Sequence, residues 1–209
     1  MTASTTAAQP LPAEIWNRLK AGNERFVSGE SEHPNQDAAR RSSLTDSQHP
    51  VAVIFGCSDS RLAAEIIFDV GLGDIFVVRT AGQVTDDAVL GSLEFSVSEL
   101  KVPLIVVLGH DSCGAVSAAV QAVDSGITPT GFVRSLVERI TPSVLAAQRA
   151  GITSVNDTVE EHVKQTAHRI VDHSRVLHDA VAEGRTAVMG VTYRLDEGRA
   201  DVVTSIGEV

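Results

Sequence analysis

Only two cysteines, one tryptophan and seven prolines occur among the 209 residues. Two cysteines allow at most one disulfide, and with 43% apolar and 21% charged residues the composition is that of a globular chain, neither fibrous nor disordered. Positive charge is in deficit: 17 Lys and Arg stand against 27 Asp and Glu, a formal net charge of -10. A surface of that sign repels a polyanionic backbone, so nucleic acid is not an expected partner, whereas small neutral substrates remain open. Long apolar runs are missing too. The longest, such as Val51 to Phe55 and Leu104 to Leu108, fall far below the roughly 18 residues that span a bilayer, and no membrane segment is expected. The opening MTASTTAAQPLPAEIW has no basic head and no apolar stretch of signal-peptide length, so the expected location is cytoplasmic. In a reducing compartment paired thiols are metal ligands or redox groups more readily than a disulfide.

The length suits one domain, read here as 12–209 behind a flexible segment of residues 1–11. Ile15, Leu19, Gly22 and Phe26 recur at helical spacing and predict a first helix near 12–28; Ser31 to His49 reads as loop with a short helix. PVAVIFG, DIFVVR and PLIVVLG are short apolar runs of strand character. Between and after them come the helix-compatible LAAEIIFDV, a helix from Thr85 as N-cap toward Lys101, and GAVSAAVQAV. Two longer helical patterns follow: Phe132 to Ala150, interrupted by Pro142, and Val159 to Val181, where Val159, Val163, Ala167, Ile170, Ser174, Leu177 and Val181 share one face. TAVMGVTYRL and ADVVTSI close the chain as a hairpin-like pair across Asp-Glu-Gly. Strands that are apolar on both faces and alternate with helices predict an α/β fold: a mainly parallel central sheet with helices on both faces and an antiparallel edge strand.

In such sheets the ligand site lies beyond the carboxyl ends of the strands. Cys57-Ser58-Asp59-Ser60-Arg61 follows PVAVIFG, and His110-Asp111-Ser112-Cys113-Gly114 follows PLIVVLG. If those strands are neighbours, Cys57, His110 and Cys113 meet. Two thiolates and an imidazole suit zinc, and three protein ligands leave the fourth tetrahedral position for water, the arrangement of catalytic sites. Each cysteine alone reads more readily as a small buried hydrophobe, and Asp59 with Arg61 alone more readily as a surface ion pair.

CSDSR followed by GHDSCG resembles the paired signature of the β-class carbonic anhydrases, and the element order from about residue 12 to 206 agrees with that family. The resemblance implies Zn2+ held by Cys57, His110 and Cys113, a catalytic dyad of Asp59 and Arg61, and reversible hydration of carbon dioxide to bicarbonate and a proton. It also implies that Asp59 can ligate the metal itself in a closed state. Gln48 matches an amide that approaches the metal-bound oxygen, Phe76 and Ala81 match cavity-lining positions, and Gly114 matches a glycine whose N–H orients substrate. The family implies a homodimer or homotetramer in which the amino-terminal helix reaches across its partner. Phe95 stands where a tyrosine is common. Ile54 stands where some bacterial members carry the tryptophan of a second bicarbonate site, although Arg79 matches its arginine, so that site is expected to be absent. His33, His49, His162, His168, His173 and His178 lack metal spacing and read as surface or capping residues.

Two readings compete. One keeps the zinc but takes a related heteroallene such as carbonyl sulfide; the other is a zinc-stabilised interaction module with Asp59 as a permanent ligand, which has no use for Arg61 beside the carboxylate. A thiol-nucleophile enzyme is disfavoured: a phosphatase-type loop needs five residues between cysteine and arginine where Cys57 and Arg61 have three, and Ser112 lies in no G-x-S-x-G elbow.

Overall fold

The computed structural model describes residues 10–209. Of the expected flexible start, only Pro10 and Leu11 fall within these residues, and both are exposed. Helix α1 (Pro12–Ser28) begins with Pro12 in its first turn, where a missing N–H costs nothing, and ends at Gly29 in the left-handed region. Ile15, Trp16 and Leu19 form its buried face, and the Trp16 ring meets Phe68 edge-on at 6.3 Å. After α2 (Ala38–Ser43) come β1 (Ala52–Cys57), the single-turn α3 (Ala64–Ile67) and β2 (Ile75–Thr80). Then follow α4 (Asp87–Ser98), β3 (Leu104–His110), α5 (Gly114–Ser125), α6 (Val133–Arg149), α7 (Val155–His173), α8 (Arg175–Ala182), β4 (Ala187–Tyr193) and β5 (Ala200–Ile206).

The five strands form one sheet in the order β2-β1-β3-β4-β5, parallel except for the β4–β5 pair. Every residue of β1, β3 and β4 is buried, which requires cover on both faces of the sheet. Helix α7 lies across β3, β4 and β5 and packs on α6, which packs on α5. Its approach is close at Gly109, where a Cβ would lie 2.4 Å from Val163 Cγ2. Any side chain there would push α7 off the end of β3.

Several boundaries differ from the sequence reading, each for a local reason. The long pattern from Val159 to Val181 is two helices, because Ser174 takes an extended conformation (φ -114°, ψ 114°) and its hydroxyl accepts from Leu177 N–H while donating to Glu94. Apolar spacing continues through this break and conceals it. Helix α6 runs through Pro142 without ending, its buried Val137, Ile140, Ser143, Val144 and Ala147 packed between neighbours; tertiary burial outweighs the lost hydrogen bond. The N-cap of α4 is Asp86, not Thr85, with its carboxylate on Val89 N–H. LAAEIIFDV yields only the one turn of α3.

Two buried polar side chains tie the start of the chain to the rest. Asn23 donates to Ile67 O and Gly198 O and accepts from Ala200 N–H, joining α1 to α3 and to the β4–β5 turn. Asp69 accepts from Arg25 Nε at 2.6 Å and from the N–H groups of Glu32 and His33, both at 2.9 Å. Burial alone would raise the Asp69 pKa, but these donors outweigh it and hold the carboxyl below its ordinary value. A carboxyl whose folded pKa is depressed adds stability above its unfolded pKa of about 3.9, and that contribution is lost as pH falls through the folded value. Asp69→Asn, which tolerates the left-handed backbone at this position (φ 45°), is expected to cost about 1–3 kcal/mol at pH 7. Urea unfolding should show its deficit shrinking as pH drops below about 4; a deficit independent of pH would show that the charge plays no part.

Candidate metal centre

Parallel pairing of β1 with β3, Gly56 opposite Leu108, brings the carboxyl ends of both strands to one edge of the sheet. Cys57 ends β1, His110 ends β3, and Cys113 is the N-cap of α5. The turn between His110 and Cys113 is pinned from two sides. Ser112, left-handed at φ 52°, gives its N–H to Asn156 Oδ1 on α7, and Asp111 bonds the backbone of Tyr193 and Leu195 beyond β4. The ligand atoms of Cys57, His110 and Cys113 consequently lie within 4.8 Å of one another, and this trio can hold a metal ion.

All three side chains are buried, His110 completely. His110 Nδ1 lies 2.8 Å from Asp111 O, and since a carbonyl only accepts, Nδ1 carries the proton. Nε2 then presents a lone pair toward the two sulfurs and has no hydrogen-bond partner. An orphaned buried nitrogen facing two thiols is what a cation would satisfy, and the donor set of two sulfurs and one imidazole is soft enough for zinc. Contact with the Cys113 thiol, with help from His110 and Gly82 N–H against the opposing effect of burial, lowers the Cys57 pKa to about 4. The neighbouring Cys57 thiolate and burial push Cys113 up. Burial would lower His110, but the Cys57 thiolate outweighs it and raises this imidazole. One proton of the two-thiol pair is thus readily lost, and the site concentrates negative charge where a cation would sit.

Asp59 stands beside this cluster but is held by another partner. Arg61 grips it with a two-pronged fork, Nε to Oδ1 at 2.9 Å and a terminal nitrogen to Oδ2 at 2.8 Å, and adds its own backbone N–H to Oδ1 at 3.0 Å. The guanidinium holds the Asp59 carboxyl well below the usual carboxylate range. Asp59 Oδ2 is 3.8 Å from His110 Nε2, near the centre without joining its donor set. Arg79 fixes the backbone of this turn, donating to Cys57 O at 2.9 Å and Asp59 O at 2.6 Å.

The remaining sequence candidates are placed unevenly. Ala81, half-buried, opens the 3-10 turn Ala81–Gln83 whose Gly82 N–H reaches Cys57 Sγ at 3.2 Å. Gly114 is exposed at the start of α5, and open space lies where its Cβ would be. Phe76, half-buried on β2, has its ring 6.4 Å from that of Phe95. Gln48 is exposed in the loop before β1 and makes no hydrogen bond among the described residues. Ile54 is sealed inside β1, and Arg79 is engaged with backbone carbonyls.

One assignment is overturned: His162 is 1% exposed and bonded at both ring nitrogens, not a surface or capping residue. Gln83, fully buried beside it in the chain turn, was likewise not singled out by sequence. Neither carries a spacing signal, because the partners of His162 come from α6 and from a backbone carbonyl of the distant turn.

Comparison with known proteins gives a consistent result. The carbonic anhydrase family model matches residues 52–200. A carbonic anhydrase of Mycolicibacterium smegmatis is 52% identical over 198 residues, covering 95% of this chain and 96% of its own length. Carbonic anhydrase 2 of Mycobacterium tuberculosis is 54% identical over 198 residues with the same coverage, 95% and 96%. Among solved structures, Coccomyxa β-carbonic anhydrase in complex with acetazolamide shares the fold, with a TM-score of 0.69 at 24% identity over 98% of this chain and 89% of that one.

Proposed function

The chain belongs to the carbonic anhydrase family, in its β class, and from that premise we propose that it hydrates carbon dioxide reversibly at a zinc ion held by Cys57, His110 and Cys113. The observation that carries this reading is His110 Nε2, buried, unpartnered and aimed at two thiols. Zinc bound there would lower the pKa of water and supply hydroxide near neutral pH.

The chain's own groups do the rest. Arg61 fixes both Asp59 oxygens, and the lone pairs that remain on Oδ2 accept the proton of the attacking group, turning its free lone pair toward the substrate carbon. Gly114, the first residue of α5, would offer its free N–H to a substrate oxygen. Phe76 and Ala81 supply an apolar wall for a substrate that carries no charge. The products are bicarbonate and a proton that must leave the site. An interaction module with Asp59 as permanent ligand fits less well, because the Arg61 fork holds Asp59 outside the donor trio, with Oδ2 3.8 Å from His110 Nε2. Metal analysis and a buffered hydration assay on one preparation test the proposal: one zinc per chain with hydration activity supports it, and a full zinc complement without hydration rejects it.

The working unit is proposed to be at least a homodimer. The edge strand β2 is only half-covered; Phe95, its ring 6.4 Å from that of Phe76 on this strand, is 47% exposed, and Leu72, 46% exposed, lines a cleft of about 340 Å³ together with Val70 and Ile75. Helix α1 is seated on its own chain through Trp16 and Asn23, so this surface rather than α1 carries the argument. Light scattering at assay concentration should give twice the chain mass or more, and an active monomer would reject the dimer. In a reducing cytoplasm, the proposed location, Cys57 and Cys113 would stay available to the metal.

A further inference from the structure

A fully buried histidine outside the donor trio is connected to it through two successive contacts. His162, on α7, lies with Nδ1 2.9 Å from Ser143 Oγ on α6 and Nε2 2.9 Å from Gly82 O. Gly82 in turn gives its N–H to Cys57 Sγ at 3.2 Å. The proton positions follow from the partners. Gly82 O can only accept, so Nε2 carries the hydrogen; Nδ1 of the neutral ring is then an acceptor facing the Ser143 hydroxyl, whose single proton is shared with Gln165 Oε1 at 3.1 Å.

Burial, reinforced by the charge of Arg169, lowers the His162 pKa to about 4, so the imidazole stays neutral and keeps this tautomer through the neutral range. What it holds is an unusual piece of backbone. Gly82 (φ 66°) and Gln83 (φ 42°) are consecutive left-handed residues, a conformation that a glutamine enters only under constraint. Nothing holds Gln83 through its side chain, since both its amide atoms are buried without hydrogen-bond partners. A Cβ on Gly82 would lie 2.8 Å from Ala115 Cβ and 2.9 Å from Ile140 Cδ1, so the turn is pressed against α5 and α6 and cannot drift outward.

We propose that His162 is a positioning residue for the metal centre: from α7 it fixes the Gly82 carbonyl, and through that left-handed turn it aims the Gly82 N–H at the Cys57 sulfur. The inference rests on the reading of Cys57 as a metal ligand. A donor aimed at a ligating thiolate sets both its direction and how much charge it gives to the metal, and losing such an outer partner typically costs about 10- to 100-fold in metal affinity.

The test uses the full-length protein loaded with cobalt(II), whose thiolate-to-metal absorption reports directly on the sulfur. His162→Leu fills space but offers no donor; His162→Gln places an amide N–H near the same carbonyl. The leucine variant should bind cobalt about 10- to 100-fold more weakly and shift the thiolate band, while the glutamine variant returns both toward wild type. Wild-type affinity and band in the leucine variant would overturn the proposal, as would equal losses in both variants, which would mark a packing role. If the leucine variant fails to fold, Ser143→Ala, which frees Nδ1 and lets the ring turn, must shift the band in the same direction; an unmoved band overturns the proposal. Cys57→Ser is the control: if it keeps the band and full affinity, the ligand assignment has failed and not the role of His162.

Discussion

Cys113→Ala is expected to bind no zinc and to lose carbon dioxide hydration by more than about 10³-fold, because without the metal water ionises far less readily at neutral pH. Cys113 is the informative member of the trio. It is the N-cap of α5, and its side chain makes no capping hydrogen bond there, so alanine removes a sulfur without removing a cap. Its burial at 1% exposure also means that no solvent group sits ready to replace the thiolate. The loss should therefore appear in metal analysis and in activity together, with far-ultraviolet circular dichroism little changed. A Cys113→Ala protein with a full zinc equivalent and normal hydration would sink the ligand assignment. Treating the native protein with a chelator should reproduce the loss, and readdition of zinc should reverse it.

Asp59→Asn should separate metal binding from turnover. Asparagine keeps the shape of the side chain but cannot accept the two-pronged guanidinium fork through two charged oxygens, and its NH2 donates where the carboxylate accepted. Zinc content should stay at one per chain while hydration slows by about 10- to 100-fold, the usual cost of losing an outer partner of a metal site. Arg61→Ala should give a similar fall for a different reason: the carboxylate remains but is no longer held away from the donor trio, from which Asp59 Oδ2 stands 3.8 Å at His110 Nε2. If Asp59→Asn lost zinc along with activity, the aspartate would be a ligand and the interaction-module reading would gain. Unchanged turnover in both variants would leave the dyad without a catalytic role.

What could be read ahead of the structure was whatever the chain announces locally. Cys57 and His110 were legible because each follows an apolar run that could only be a buried strand, and residues just past such strands share one end of a parallel sheet. Asp59 and Arg61 were legible because a two-residue gap is short enough for a fork whatever the surroundings. Gln48, Phe76, Ala81 and Gly114 came only from the family resemblance, and of these Gln48 remains exposed, away from any bonded partner within the described chain. His162 was invisible for the opposite reason. Its meaning lies in a carbonyl from another part of the chain and in a hydroxyl from α6, and nothing in the local pattern of α7 distinguishes it from the exposed His168 on the same helix. The break at Ser174 was hidden by the same local uniformity, since Leu177 continues the apolar spacing across it.

The strand order has a consequence for how the protein comes to exist. β1 pairs with β2 on one side and β3 on the other, so His110 and Cys113 reach Cys57 only after two segments far apart in sequence have found their register. An unfolded chain can offer a metal at most the short His110–Cys113 pair, a weak chelate, while the full trio appears only with the finished centre of the sheet. Non-local strand pairing of this kind is slow to form because loop-closure entropy is lost before contacts compensate. Ion capture at the proposed centre would therefore be a late event in assembly, one that could not guide the early search and that would lock the β1–β3 seam once it closes.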